Sequence, residues 1–99
     1  MQTLYVTYPG DANTRFDRKY YVNQHLPLVL ANWCRYGLET VAAFFPEGDG
    51  AGTIAICVCT FRDEQSVRAS FAATETRAVM ADVPRFTDAT PSQSLSAPL

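Results

Sequence analysis

With 99 residues, 47% of them hydrophobic and 18% charged, and a net charge of −2, the chain has material for one hydrophobic core and no second. The composition is globular and lacks the basic excess that phosphate binding demands, which argues against a nucleic acid partner, and no apolar run approaches the roughly 18–20 residues that span a bilayer. The sequence opens directly into a strand-like pattern instead of a charged and then apolar leader, so a cytoplasmic protein without membrane association is expected. Cys34, Cys57 and Cys59 follow no regular spacing and point to reduced thiols, not to a disulfide framework.

The first element is a strand over residues 4–8, where Leu4, Val6 and Tyr8 alternate with Tyr5 and Thr7 until Pro9-Gly10-Asp11 ends it. A long helical stretch follows, with Asp17 as its N-cap and Gly37 as its terminator. Pro27 interrupts this stretch, because it has no N–H and its ring collides with the carbonyl of Asn23 at a cost of about 3 kcal/mol in a regular helix. A kink or a restart near Leu26 is expected. Residues 38–45 and 53–61 read as two strands joined by the turn-rich stretch 46–52. Asp63 can cap a second helix carrying Val67 and Phe71 on one face, and Thr74 a short third one carrying Val79 and Met80 and ending before Pro84. From about residue 91 the chain is rich in serine and proline, so the C-terminal segment is expected to be weakly structured, with any strand there short and at an edge.

The order β-α-β-β-α-β within one domain, 1–99, is that of an α+β ferredoxin-like split βαβ sandwich, in which helices cover one face of an antiparallel sheet. The third predicted strand has Ile54, Ile56 and Val58 on one side and Ala55, Cys57, Cys59 and Phe61 on the other, so both faces are apolar. A second subunit is the simplest cover for the bare face, and charges placed at Ala55 and Cys57 are expected to part the subunits.

The set Tyr8-Pro9, Phe16-Asp17, Tyr20-Tyr21, His25 with Pro27-Leu28-Val29, Tyr36-Gly37-Leu38 and Met80-Ala81-Asp82-Val83-Pro84 with Phe86-Thr87-Asp88 resembles the EthD family of small dimeric α+β barrel proteins. The match runs from residue 2 to about residue 90. The resemblance implies a homodimer with its two sheets packed face to face, a pocket in each subunit between sheet and helices, and small cyclic or aromatic substrates. It does not fix one reaction: similar architectures serve cofactor-free monooxygenases, muconolactone-type isomerases, and dehydratases or cyclases of polyketide-like rings, and EthD itself is named for a role beside an ether-degrading oxygenase. Pro91-Ser92-Gln93-Ser94 departs from the more apolar final strand usual in the family.

His25 is the only histidine, and the ordinary imidazole pKa of about 6.5 suits proton transfer near neutral pH. Tyr21 lies four residues earlier, on the same helical face, so the two can form a catalytic pair in which imidazole and phenol together bind and protonate an enol or carbonyl oxygen. The alternative is a histidine whose ring bonds a backbone carbonyl freed by Pro27. Tyr8, Tyr20, Trp33 and Phe86 are the candidate substrate-binding aromatics, Tyr8 as a second phenol and Trp33 and Phe86 as pocket wall. No metal is expected, since zinc wants four nitrogen or sulfur ligands and Cys57 and Cys59 find too few companions; buried packing suits these thiols better. Asp82 and Asp88, beside Pro84 and Phe86, can orient a histidine or cap the adjoining turns, and the commoner capping role is read first. Gly48, Gly50 and Gly52 open no helix, and no nicotinamide or flavin fingerprint occurs, so no cofactor is expected. Two readings result: a cofactor-independent enzyme of oxidoreductase, isomerase or dehydratase type acting on a small hydrophobic oxygenated ring, or a non-catalytic protein that carries such a metabolite or supports a partner oxygenase.

Overall fold

Strand β1 (Gln2–Gly10) buries Leu4 and Tyr8 and exposes Tyr5 between them, as its alternation requires. In this computed structural model, which describes residues 1–47 and 52–96, β1 pairs antiparallel with β3 (Gly52–Phe61) on one side and β4 (Ser92–Ser96) on the other. Strand β2 (Leu38–Phe44) pairs antiparallel with β3, giving the order β2-β3-β1-β4. This is the α+β ferredoxin-like sheet that the element order predicts. The hairpin tip, with Gly48 and Gly50, lies outside the described residues.

Strand β1 does not stop at Pro9. The register shifts between Tyr8 and Pro9, and Pro9 then faces Thr53. Strand β4 covers only Thr3 to Thr7, so the proline stands at a bulge where its missing N–H deprives no partner in that sheet edge.

The helical stretch begins as expected, with the Asp17 carboxylate accepting from the Tyr20 N–H at 3.0 Å to cap α1 (Arg18–Tyr20). One widened turn of π type, Tyr21–His25, follows, in which the Leu26 N–H donates to the Tyr21 carbonyl, and α2 (Leu26–Trp33) restarts with Pro27 in its first turn. The wider turn accommodates the proline ring without ending the helix. A 3-10 turn, Cys34–Tyr36, leads into Gly37 at φ 111°.

Asp63 caps α3 (Glu64–Ala72) by accepting from the Ser66 N–H at 2.8 Å. Val67 is buried, while Phe71 lies half exposed against Trp33. Thr74 does not cap the next helix: α4 (Thr76–Asp82) starts two residues later, and the Thr74 hydroxyl donates to the Glu75 carboxylate instead. Beyond α4 the chain makes a 3-10 turn, Val83–Arg85, around Pro84. The final strand forms at the sheet edge and is short, with every residue exposed.

Leu4, Tyr8, Ala55, Cys57, Cys59 and Phe61 make the sheet face under the helices. Charges at Ala55 and Cys57 would therefore enter the core, contrary to the expectation above, because the register opposes Ala55 to Tyr8 and Cys57 to Val6 on the inward side. The bare face carries Tyr5, Phe44, Ile56 and Val58. All three cysteines are free thiols.

Gly37 is required twice. Its φ is left-handed, and an added Cβ would collide with the Ser66 side chain at the start of α3. Gly37→Ala is expected to lower stability by about 1–3 kcal/mol in urea denaturation, with the slope m unchanged.

Candidate active site

The widened turn and the end of α4, far apart in sequence, meet above the sheet. His25 closes the turn and Asp82 closes the helix; both are buried, and His25 Nδ1 lies 2.9 Å from Asp82 Oδ2. The other carboxylate oxygen, Oδ1, accepts from the Tyr20 hydroxyl at 2.7 Å, with Arg85 Nε 3.9 Å away. A carboxylate only accepts, so Nδ1 carries the imidazole proton and Nε2 keeps its lone pair. Among the described residues the imidazole makes its hydrogen bond through Nδ1.

Burial holds the His25 imidazole below its ordinary pKa, and the opposing hydrogen bond and charge of Asp82 do not offset it. Asp82 shows the converse balance. Burial pushes its carboxyl up, but the hydrogen bonds from Tyr20 and His25 outweigh that and keep it below the usual carboxylate range. The pair at neutral pH is thus a carboxylate and a neutral imidazole.

Aromatic rings fix the imidazole in place. Tyr21 stacks on it at 5.4 Å between centroids and 18° between planes, and Phe86 supports it at 4.6 Å. Tyr8 meets Tyr21 edge to face at 5.5 Å. Burial raises the Tyr8 phenol to about 12, and burial, with Cys57 and Tyr8 beside it, raises Tyr21 further. Both hydroxyls therefore remain protonated donors.

These groups line a mostly apolar cavity of about 40 Å³ between the sheet and α2, bounded by Tyr8, Tyr21, His25, Val29, Trp33, Cys57 and Cys59, with Met80, Val83, Pro91 and Gln93 also in its wall. A single water needs roughly 10–15 Å³ on this measure, so the volume suits a few waters, and a ring must displace side chains to enter fully. Met80, unbranched and 47% exposed, is the wall residue best able to move.

The structure brings four of the six predicted site residues together at this cavity: His25, Tyr21, Tyr8 and Trp33. Trp33 donates its indole N–H to Thr76 Oγ1 at 3.0 Å. Tyr20 and Phe86 are not in the wall. Tyr20 projects to Asp82, because adjacent residues on a helix face different ways, and Phe86, fully buried, sits beneath His25 and Tyr21. The imidazole bonds a carboxylate, not a carbonyl freed by Pro27. Asp88 is structural as expected, accepting from the Arg15 N–H at 3.2 Å. Asp82 makes no side-chain cap; of the two roles the sequence leaves it, cap or partner of a histidine, it takes the second, from the last turn of a helix, where the dipole disfavours negative charge. Val29, Met80 and Gln93 were not singled out by the sequence as cavity residues; apolar helical spacing and a serine-rich tail conceal them.

The EthD domain sequence model matches residues 11–90. This chain belongs to the EthD domain family. An EthD-like protein from Ralstonia eutropha JMP134 shares its fold with a TM-score of 0.81 at 22% identity, over 96% of this chain and 88% of the other. An EthD family protein from Bacillus halodurans C-125 gives 0.76 at 18% identity, over 100% and 99%. SnoaB, a cofactor-independent oxygenase from Streptomyces nogalater, gives 0.64 at 12% identity, over 98% and 92%. A search of curated proteins finds no match.

The depressed imidazole pKa gives the EthD chain a specific acid sensitivity. The unfolded chain binds the His25 proton more readily than the folded one, so stability falls as pH drops below about 6.5 and levels off below the folded pKa. The Asp82 contribution is lost separately, at still lower pH, as its depressed carboxyl titrates. In His25→Gln the fall of the thermal midpoint between pH 7 and pH 5 should be shallower than in wild type; equal slopes would contradict the assignment.

Proposed function

We propose that this EthD domain is a cofactor-independent enzyme that moves a proton on a small, hydrophobic, oxygenated ring compound, with His25 Nε2 as general base. The supporting observation is the buried Asp82–His25 hydrogen bond, which leaves an unprotonated nitrogen at a cavity wall beside two protonated phenols. Nε2 takes a proton from carbon or oxygen of the ring, and negative charge develops on the ring oxygen. The Tyr21 and Tyr8 hydroxyls donate to that oxyanion, while Asp82 stabilises the imidazolium. Return of the proton at another carbon is isomerisation, expulsion of hydroxide is dehydration, and electron transfer from the enolate to oxygen starts an oxidation. Isomerase, dehydratase and oxygenase readings thus share one first step.

Proton abstraction can be tested before the physiological substrate is known. Small cyclic 1,3-diketones and hydroxylated aryl ketones incubated in D₂O report carbon–hydrogen exchange directly by NMR. Wild type is expected to accelerate exchange, and His25→Gln to lose roughly 10²–10⁴ of that rate. Ring compounds that bind without faster exchange in wild type than in His25→Gln would favour the carrier or accessory reading.

A homodimer formed by packing bare sheet faces together is part of the proposal. Tyr5 is 38% and Phe44 56% exposed there, beside Ile56 and Val58 in adjacent registers. Val58→Asp, which faces away from the helices, should convert a dimer to a folded monomer by light scattering at micromolar concentration; a wild-type monomer would contradict this.

A further inference from the structure

Among the described residues the Tyr20 hydroxyl is the one side-chain donor on Asp82 besides His25 that lies at full hydrogen-bonding distance, 2.7 Å from Oδ1. It is half-buried, outside the cavity wall, and its ring lies over Phe86 at 6.4 Å and 23°. From these positions we infer that Tyr20 is a positioning residue: by donating to Oδ1 it orients the Asp82 carboxylate toward His25 and limits how strongly that carboxylate draws a proton onto the imidazole. The inference rests on the general-base reading for its catalytic meaning, but its physical content does not.

Two donors share one carboxylate charge. Each hydrogen bond disperses part of that charge, so the Tyr20 bond weakens Asp82 as an acceptor for Nδ1–H and as a counterion for imidazolium. Without it, Oδ1 would have only Arg85 Nε at 3.9 Å, from a side chain 73% exposed, which screening renders weak. The charge would then act more fully on His25, and the imidazole would hold its proton to higher pH. Tyr20 thereby widens the range over which Nε2 is free. The other titratable groups facing the pair or its cavity are Tyr21, Tyr8, Cys57 and Cys59. Both phenols stay neutral, being raised by burial, and the thiols lie on the sheet side, away from Oδ1. The Tyr20 phenol is itself raised by its bond to Asp82, so it remains a donor through neutral pH.

A single histidine makes the test direct, since one imidazole signal in the proton NMR spectrum of the intact protein reports His25 alone. Tyr20→Phe removes one oxygen and retains the ring against Phe86. The His25 titration should move up by roughly 0.5 pH unit, about threefold in proton affinity. Arg85→Gln should move it much less. With Asp82→Asn already present, adding Tyr20→Phe should no longer move it. In the deuterium-exchange assay the acid limb of the rate should shift upward in Tyr20→Phe by the same amount. An unmoved His25 titration in folded Tyr20→Phe, an equal effect of Arg85→Gln, or a Tyr20→Phe shift that persists without Asp82 would each overturn the inference. A moved titration with no exchange activity in wild type would instead refute the general-base reading and leave the coupling standing.

Discussion

A hydrogen bond between His25 and Asp82, 57 residues apart, holds two helical segments in one relation over the sheet. Burying a carboxylate costs several kcal/mol unless its oxygens find donors. Here each oxygen has one, and both donors come from the same segment, Tyr20 and His25. The end of α4 is therefore fixed against the widened turn that Pro27 accompanies. Position matters as well as pairing. Asp82 is the last residue of α4, where the helix dipole opposes a negative charge by about 0.3–1 kcal/mol. The placement is unfavourable for the helix and is offset only by what Asp82 does for Tyr20 and His25.

Core and site are largely the same residues. Phe16, Tyr21 and Phe86 form mutual edge-to-face and tilted contacts with Tyr8, and the imidazole completes that cluster by resting on Tyr21 and Phe86. Such packing excludes water, which strengthens every hydrogen bond within it. It also sets the protonation states: desolvation favours the neutral form of each buried group, so the imidazole loses its proton and the phenols keep theirs. A base and two donors follow from burial alone, with Asp82 deciding which imidazole nitrogen is free.

Local signals carried the fold. Alternation in β1, the Asp17 and Asp63 caps, the Gly37 terminator and the disruption around Pro27 were all legible, because each depends on neighbours within a few residues. The pairing of His25 with Asp82 was half legible: an aspartate beside Pro84 can orient a histidine or cap a turn, but capping is the commoner role and nothing local decides for a partner so distant. Thr74 failed as a cap for a related reason: several residues in that turn could begin the helix, and it begins at Thr76, whose hydroxyl donates to the Ser70 carbonyl and accepts from the Trp33 indole. Helical spacing set Tyr21 on the face of His25, but Tyr20 was read as a pocket aromatic beside it. Only the direction of each side chain around the turn separates the phenol beside the cavity from the one that holds Asp82. Strand β3, apolar on both faces, concealed which face the helices cover until the register with Tyr8 and Val6 was known.

The cavity wall joins elements of unequal anchorage. On the sheet side it is built on β1 and β3, paired along almost their whole lengths. Gln93 belongs to β4, which pairs only with β1 and exposes all its residues, and Met80 is a half-exposed side chain on a seven-residue helix. Regions with little buried apolar area open at far lower free energy than the core. A cavity of about 40 Å³ can therefore enlarge by rotation of the Met80 side chain and movement of β4, while the Asp82 end of α4 keeps its hydrogen bond to His25. Rigid chemistry and an adjustable entrance are compatible in so small a domain because His25 and Asp82 are buried and bonded to each other, whereas the Met80 side chain and the edge strand with Gln93 are exposed.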